Sequence, residues 1–259
     1  MRSVLTFSHV SLQIEGKSIL KNMSGEFPKG SVTALIGPNG SGKSTLLSVL
    51  SQLRQPDAGD VLLGKQSLAS LSRAKVAREI AFMPQRNPVP STLSVADLVA
   101  FGRHPHRPWY RRLNPEDQRL IDWAITAAGI EPYRDRLLSG LSGGELQRCW
   151  LAMVLAQDTP ILMLDEPTSW LDINHQQGLL DIVRRLNREY NKTIIWVLHD
   201  LNQALQYSDR AMLLDQGVML ASGKVDEVIT AERVSHVYRT PVRDHTIDGQ
   251  RILLTEVQA

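Results

Sequence analysis

The sequence predicts an α/β core with an antiparallel β-layer and an inserted α-helical subdomain. Three observations carry this reading. Residues 32–36, 160–165 and 193–198 are short, almost continuously apolar runs, the pattern of strands buried on both faces. The first runs through a glycine-rich turn directly into a helical stretch. Residues 87–139 then change texture, with helical spacing and proline-broken loops in place of strands.

Residues 4–14 alternate loosely and read as a strand. Glu15-Gly16-Lys17 is a turn, and residues 19–27 a second strand closed by Pro28-Lys29-Gly30. These two open the antiparallel layer. After the strand at 32–36, a helix continues through residues 46–50. Pro56-Asp57-Ala58-Gly59 is a turn, residues 60–64 a strand, 72–78 a short helix, and 80–83 a strand ending at Pro84-Gln85. In the inserted stretch, residues 87–90 read as a loop and 94–101 as a helix with a Ser cap. Residues 102–112 read as a basic, aromatic, proline-broken loop. A helix over 115–128 follows, with Asn114 as cap and Pro115 first. The core resumes with a helix at 143–156, the strand at 160–165, a helix at 174–190, the strand at 193–198 and a helix at 201–207. Residues 210–215 and 218–221 pair across a turn at Gln216-Gly217. Past Gly223, two short helices lead to Val242 and a hairpin turn at Asp248-Gly249.

Composition excludes several classes. A length of 259 residues, 42% hydrophobic and 22% charged, fits one large globular domain. A net charge of +2 is too small to argue for nucleic acid. Cys149 is the only cysteine, so no internal disulfide forms; it reads as a small buried filler on a helix. Residues 1–7 lack the apolar core of a signal peptide, and no run approaches bilayer length. A membrane role would run through a partner.

The chemistry centres on Gly37-Pro38-Asn39-Gly40-Ser41-Gly42-Lys43-Ser44-Thr45, which fits G-x-x-x-x-G-K-[ST] between a strand and a helix. Its glycines let successive backbone N–H groups converge on one centre without side chains in the way. The helix that follows adds its positive end. Lys43 would reach the β- and γ-phosphates and Ser44 would offer its hydroxyl to Mg²⁺. The motif in this context reads as a nucleoside triphosphate site. Residues 161–165 deliver Asp165 to a strand end, where it can hold Mg²⁺. Glu166, one residue on, can polarise an attacking water as general base. In Leu141-Ser142-Gly143-Gly144-Glu145-Leu146-Gln147-Arg148, a serine and two glycines open a helix and form a second anion-binding end, its hydroxyl facing outward. One triphosphate does not need two such ends in one chain. A two-fold dimer would set this end against the γ-phosphate held by a second copy.

These stretches resemble the ATP-binding cassette family over nearly the whole chain. Residues 37–45 look like its Walker A loop, Gln85 its Q-loop, residues 141–148 its signature and Asp165-Glu166 its Walker B end. Ser169-Trp170-Leu171-Asp172 stands at the D-loop and His199 at the switch histidine. The resemblance implies a P-loop NTPase core over residues 1–86 and 140–222, a helical subdomain at about 87–139 and an extension over 223–259. It implies ATP and Mg²⁺ as ligands, with Ser44, Gln85 and Asp165 on the metal. Lys43, Gln85, Glu166 and His199 would then serve catalysis. Ser142, Gly143, Gly144 and Glu145 would face the nucleotide of a second, head-to-tail copy. Gln85 would also relay to a membrane partner.

Two departures stand out. The family usually places an aromatic ring on adenine near the end of the first strand, where this chain has Ile14. The D-loop commonly has a small residue where Trp170 stands; an interface anchor and a bulky packing residue are equal readings. Residues 99–106, 171–176 and 198–204 resemble the ATPases of ferric-siderophore, haem and cobalamin importers. That branch implies two transmembrane permease subunits, a periplasmic binding protein acting indirectly, and a place on the cytoplasmic face of the bacterial inner membrane. His104, His106 and His175 lack a metal-ligand constellation and read as surface-loop and helix-start residues. The basic run 107–112 reads as a solvated loop near the membrane partner. A siderophore complex is the expected cargo, with haem or cobalamin as alternatives. A soluble clamp acting on nucleic acid or ribosomes is the rival from another class. Such clamps typically carry a long coiled-coil arm or a second cassette, whereas the insertion here is short and the motifs read as one cassette, so the transporter reading is the expectation.

Overall fold

The computed structural model describes residues 3–85, 91–107, 111–169 and 171–256. The chain divides into two compact units, Met1–Ser70 with Thr193–Ala259, and Leu71–Lys192.

In the first unit the antiparallel layer is a four-stranded sheet in the order Lys17–Pro28, Ser3–Ile14, Ala58–Leu63, Gln66–Ser67. The third strand starts two residues before the expected Asp60, because Ala58 already pairs with Ser11. His9 takes a φ of 52° where the pairing slips between Phe7 and Val10, a bulge that bends the first strand. Beside this layer, Val32–Ile36 runs parallel to both Thr193–Val197 and Arg210–Asp215. Every residue of Val32–Ile36 and Thr193–Val197 is buried. That is why both strands read as continuous apolar runs: a parallel strand is covered on both faces. Val218–Lys224 closes this sheet antiparallel to Arg210–Asp215. The extension forms Val225–Val228, Ala231–Tyr238 and a hairpin of Val242–Ile247 with Gln250–Thr255. Asp248 and Gly249 have φ of 51° and 76°, so both central residues of the turn are left-handed, as a two-residue hairpin requires.

In the second unit Ile80–Met83 runs parallel to the fully buried Ile161–Asp165. Around this pair are the helices Arg73–Glu79, Gly143–Ala156 and Ile173–Tyr190, with Val95–Ala100 and Pro115–Ala127 from the inserted stretch. Cys149 is buried on Gly143–Ala156, and burial pushes its thiol up to about 12, so it stays an inert filler. Among the described residues no helix is long and apolar enough to cross a membrane.

The expected loop over 102–112 is corrected in its first half. Phe101–His106 is a 3₁₀ helix, and Arg103 in it is buried. Its guanidinium donates to the Asp117 carboxylate at 2.9 Å and to the Ala156 carbonyl at 2.8 Å. Gly102 is needed because a Cβ there would come within 2.2 Å of the Met153 carbonyl. Residues 87–90 and 108–110, also expected to be loop, lie outside the described residues. Burial alone would raise the Asp117 carboxyl, but the bonds from Arg103 and the Asn114 backbone hold it below its usual value. Replacing Arg103 by Met should therefore destabilise the chain by about 3–5 kcal/mol, since Asp117 is left buried and charged without its partner. Chemical denaturation measures this, and a loss under about 1 kcal/mol would mean the pair behaves like a surface ion pair.

Candidate active site

The glycine loop lies in the first unit. Gly37 has a φ of 143°, and a Cβ there would fall 2.0 Å from the Leu214 carbonyl oxygen, so only glycine fits. Gly40 and Gly42 follow with φ of 78° and 102°. The helix Lys43–Leu50 starts directly from Gly42. Lys43 is buried, and its Nζ donates to the carbonyls of Gly37 at 2.7 Å and Pro38 at 2.9 Å, curling the loop around the ammonium. The backbone N–H groups of Asn39, Gly40 and Gly42 find no acceptor among the described residues. Ser41 Oγ is buried without a partner. Unused donors, a cation and an orphaned hydroxyl in one turn fit a phosphate chain. His199 is exposed just beyond Thr193–Val197, and Asp200 caps the helix after it by accepting from the N–H groups of Asn202 and Gln203.

The second unit brings Gln85, Asp165, Glu166 and Ser169 together. Asp165 ends its strand 5% exposed. Glu166 turns out of it with a φ of 51°, a left-handed conformation costing on the order of 1–3 kcal/mol in a residue with a Cβ. Its carboxylate accepts from Ser169 Oγ at 3.0 Å and from the side-chain amide of Gln85, 81 residues away. The strained backbone is therefore held from two sides.

At the start of Gly143–Ala156, Ser142 and Glu145 form a capping box. Ser142 Oγ accepts from the Glu145 N–H at 3.3 Å, and the Glu145 carboxylate accepts from the Ser142 N–H at 2.7 Å. The hydroxyl expected to face outward is thus engaged within the cap, accepting from the Glu145 N–H and interacting with the Glu145 carboxylate. Glu145 turns back on its own helix. The Tyr133 hydroxyl, then the Ser142 backbone and side chain, lower its carboxyl to about 2. Ser142 and Gly143 remain exposed, and the N–H groups of Gly143 and Gly144 find no acceptor among the described residues.

Residues 20–169 match the family model described as ABC transporter. The chain belongs to that family. It is 47% identical to the petrobactin import ATP-binding protein FpuC of Bacillus anthracis over 85% of this chain and 80% of that protein. It is 42% identical to the ferric enterobactin transport ATP-binding protein FepC of Escherichia coli strain K12, over 92% of this chain and 88% of that protein. The dimeric structure of a bacterial ABC transporter cassette superposes with a TM-score of 0.76 at 25% identity, covering 85% of this chain and 98% of that one. The chain is an ATPase of the ABC transporter family.

Several features of this ABC ATPase escaped the sequence reading. The ring of His175 lies against Gly144, where a Cβ would come within 2.4 Å of it, and its Nδ1 meets Asp172 Oδ1 at 2.8 Å. The Asp172 carboxylate also caps Ile173–Tyr190, which confirms His175 as a helix-start residue. His104 packs edge-on to Phe101, and His106 Nε2 lies 2.7 Å from the Gln157 carbonyl oxygen. Ile14 is half-buried opposite Lys17, whereas Ile19 and Leu20 are the residues of that layer lying against Gly42. Trp170 lies outside the described residues. No sequence signal pointed to Tyr238, whose hydroxyl accepts from the Gly37 N–H at 3.0 Å.

Proposed function

We propose that this chain is the ATP-hydrolysing subunit of an importer that takes an iron–siderophore complex across the bacterial inner membrane. It would work as a head-to-tail pair of copies on the cytoplasmic face, docked to permease subunits fed by a periplasmic binding protein. The observation that carries the hydrolytic half is Glu166, held at a strand end by Ser169 and Gln85. Petrobactin and ferric enterobactin in the names of similar proteins support the cargo class.

In this reading the loop N–H groups and Lys43 bind and orient the β- and γ-phosphates. Glu166 takes the proton of the attacking water, and Gln85 holds its carboxylate and couples it to the permease. His199 donates to the γ-phosphate. Ser142 and the Gly143 and Gly144 N–H groups would do the same for the nucleotide of the second copy. Ser44, Asp165 and Gln85 offer hydroxyl, carboxylate and amide oxygens, a hard donor set suited to Mg²⁺. That ion supplies charge neutralisation on the phosphates. Ile14 would take the aromatic ring's place against adenine.

Cells lacking this chain should lose uptake of one radiolabelled ferric chelate and regain it on complementation. Loss confined to haem or cobalamin would reassign the cargo within the same branch. Loss confined to sugars or amino acids would defeat the branch and leave the ATPase standing.

A further inference from the structure

Past Lys224 the chain adds two short helices and a hairpin, outside the stretch that matches the family model. We propose that this extension is a positioning element of the nucleotide site, in which Tyr238 fixes the phosphate loop and Leu253 fixes the segment that carries His199. The proposal rests on the roles given above to the loop and to His199.

The first tie is at Gly37. Ala231–Tyr238 buries Val234 and Val237 and ends at Tyr238, just before Arg239 leaves the helix with a φ of 54°. This ending points the Tyr238 hydroxyl at the loop, where it accepts from the Gly37 N–H at 3.0 Å across 201 residues of sequence. Burial holds the phenol above its usual pKa, so it stays neutral. Gly37 is then fixed on three sides: its N–H by Tyr238, its carbonyl by Lys43, and its Cα by the nearby Leu214 carbonyl. The direction of the first peptide of the loop decides where the following N–H groups converge. A hydrogen bond on that peptide therefore acts on phosphate geometry.

The second tie is three residues past His199. The Asn202 side chain donates to the Leu253 carbonyl at 3.1 Å and accepts from the Leu253 N–H at 2.7 Å. An amide gripping one backbone residue at both groups copies a strand pairing and locks the first turn of Leu201–Tyr207 to the hairpin. Between the two ties is a cavity of about 340 Å³ lined by His199, Asn202, Tyr238, Thr240 and Leu253. The extension therefore touches both ends of the phosphate-facing surface in this unit.

Tyr238→Phe in the full-length chain keeps the ring and removes only the acceptor. The dissociation constant for a fluorescent MgATP analogue should rise roughly three- to tenfold, the effect of one hydrogen bond. Amide exchange should quicken at Gly37 and not elsewhere. Asn202→Leu should lower kcat for ATP hydrolysis with KM nearly unchanged, because it loosens His199 rather than the loop. A Tyr238→Phe chain with wild-type affinity and wild-type Gly37 exchange would overturn the proposal. So would protection lost across the whole chain, which is general destabilisation. A wild-type chain that fails to bind the analogue would instead sink the functional reading itself.

Discussion

Glu166→Gln should bind MgATP as the wild type does and hydrolyse it on the order of 10²–10⁴ times more slowly. The amide keeps the size of the carboxylate but cannot take the proton of the attacking water. The backbone at Glu166 is already left-handed, so the swap adds no backbone strain. What changes is the hydrogen bonding. The carboxylate accepts from both Ser169 Oγ and the Gln85 amide, and a glutamine at 166 can turn only one oxygen toward them. Gln85 should therefore loosen as well, adding to the loss of rate. Because hydrolysis is what would separate the two copies, the variant should collect as an ATP-dependent dimer on size-exclusion chromatography. Phosphate release within about tenfold of wild type, smaller than a general base contributes, would take Glu166 out of its assigned role.

The parts of this molecule legible in its sequence are those fixed by local chemistry. Strands buried on both faces leave no alternation to misread, and 32–36 and 193–198 were placed nearly to the residue. The helix starts at Ser94, Asn114 and Ser142 were legible from the cap residues themselves, with Pro115 after the second and two glycines after the third. The structure closes all three as capping boxes with an acidic residue three positions on. The glycine loop was legible because its backbone needs dictate its residues. Contacts between distant residues were not. Arg103 reads as one more cation of a basic loop until Asp117 is known to lie beside it. Gly102 and Pro105 look like helix breakers, yet the short 3₁₀ turn tolerates both. Nothing near Tyr238 or His175 announces the glycine each one touches. The resemblance alone points Glu145 at a second copy's nucleotide, and nothing in that resemblance announces the cap its carboxylate makes on its own helix.

A mixture of Lys43→Ala and Ser142→Arg chains should hydrolyse ATP although neither does so alone. Two separate sets of N–H donors find no acceptor among the described residues, one in the glycine loop and one at Gly143 and Gly144 beside the exposed Ser142. If each set serves the nucleotide of the other copy, a pair of Lys43→Ala chains has no working loop. A pair of Ser142→Arg chains has no working helix end. In a hybrid pair both lesions fall on one nucleotide and the other site is intact. Equal mixing makes half of the pairs hybrid, each with one of its two sites whole, so about a quarter of wild-type activity should return. Arginine at 142 also removes a helix cap, at a cost of about 1 kcal/mol. The helix should survive, since Trp150, Leu151, Val154 and Leu155 along it are buried. A Ser142→Arg chain that folds and hydrolyses ATP at the wild-type rate by itself would show that the helix end completes no site. Two silent variants that stay silent on mixing, with pairs formed, would show that both ends act on one nucleotide within a single chain or that one intact site is not enough. Placing Glu166→Gln in the Ser142→Arg chain separates these cases, because that chain supplies the loop and the base of the hybrid's one intact site. An ATP-dependent hybrid dimer on size-exclusion chromatography would show that the two ends meet across copies and that one site is not enough, whereas no such dimer would show that both ends act within a single chain.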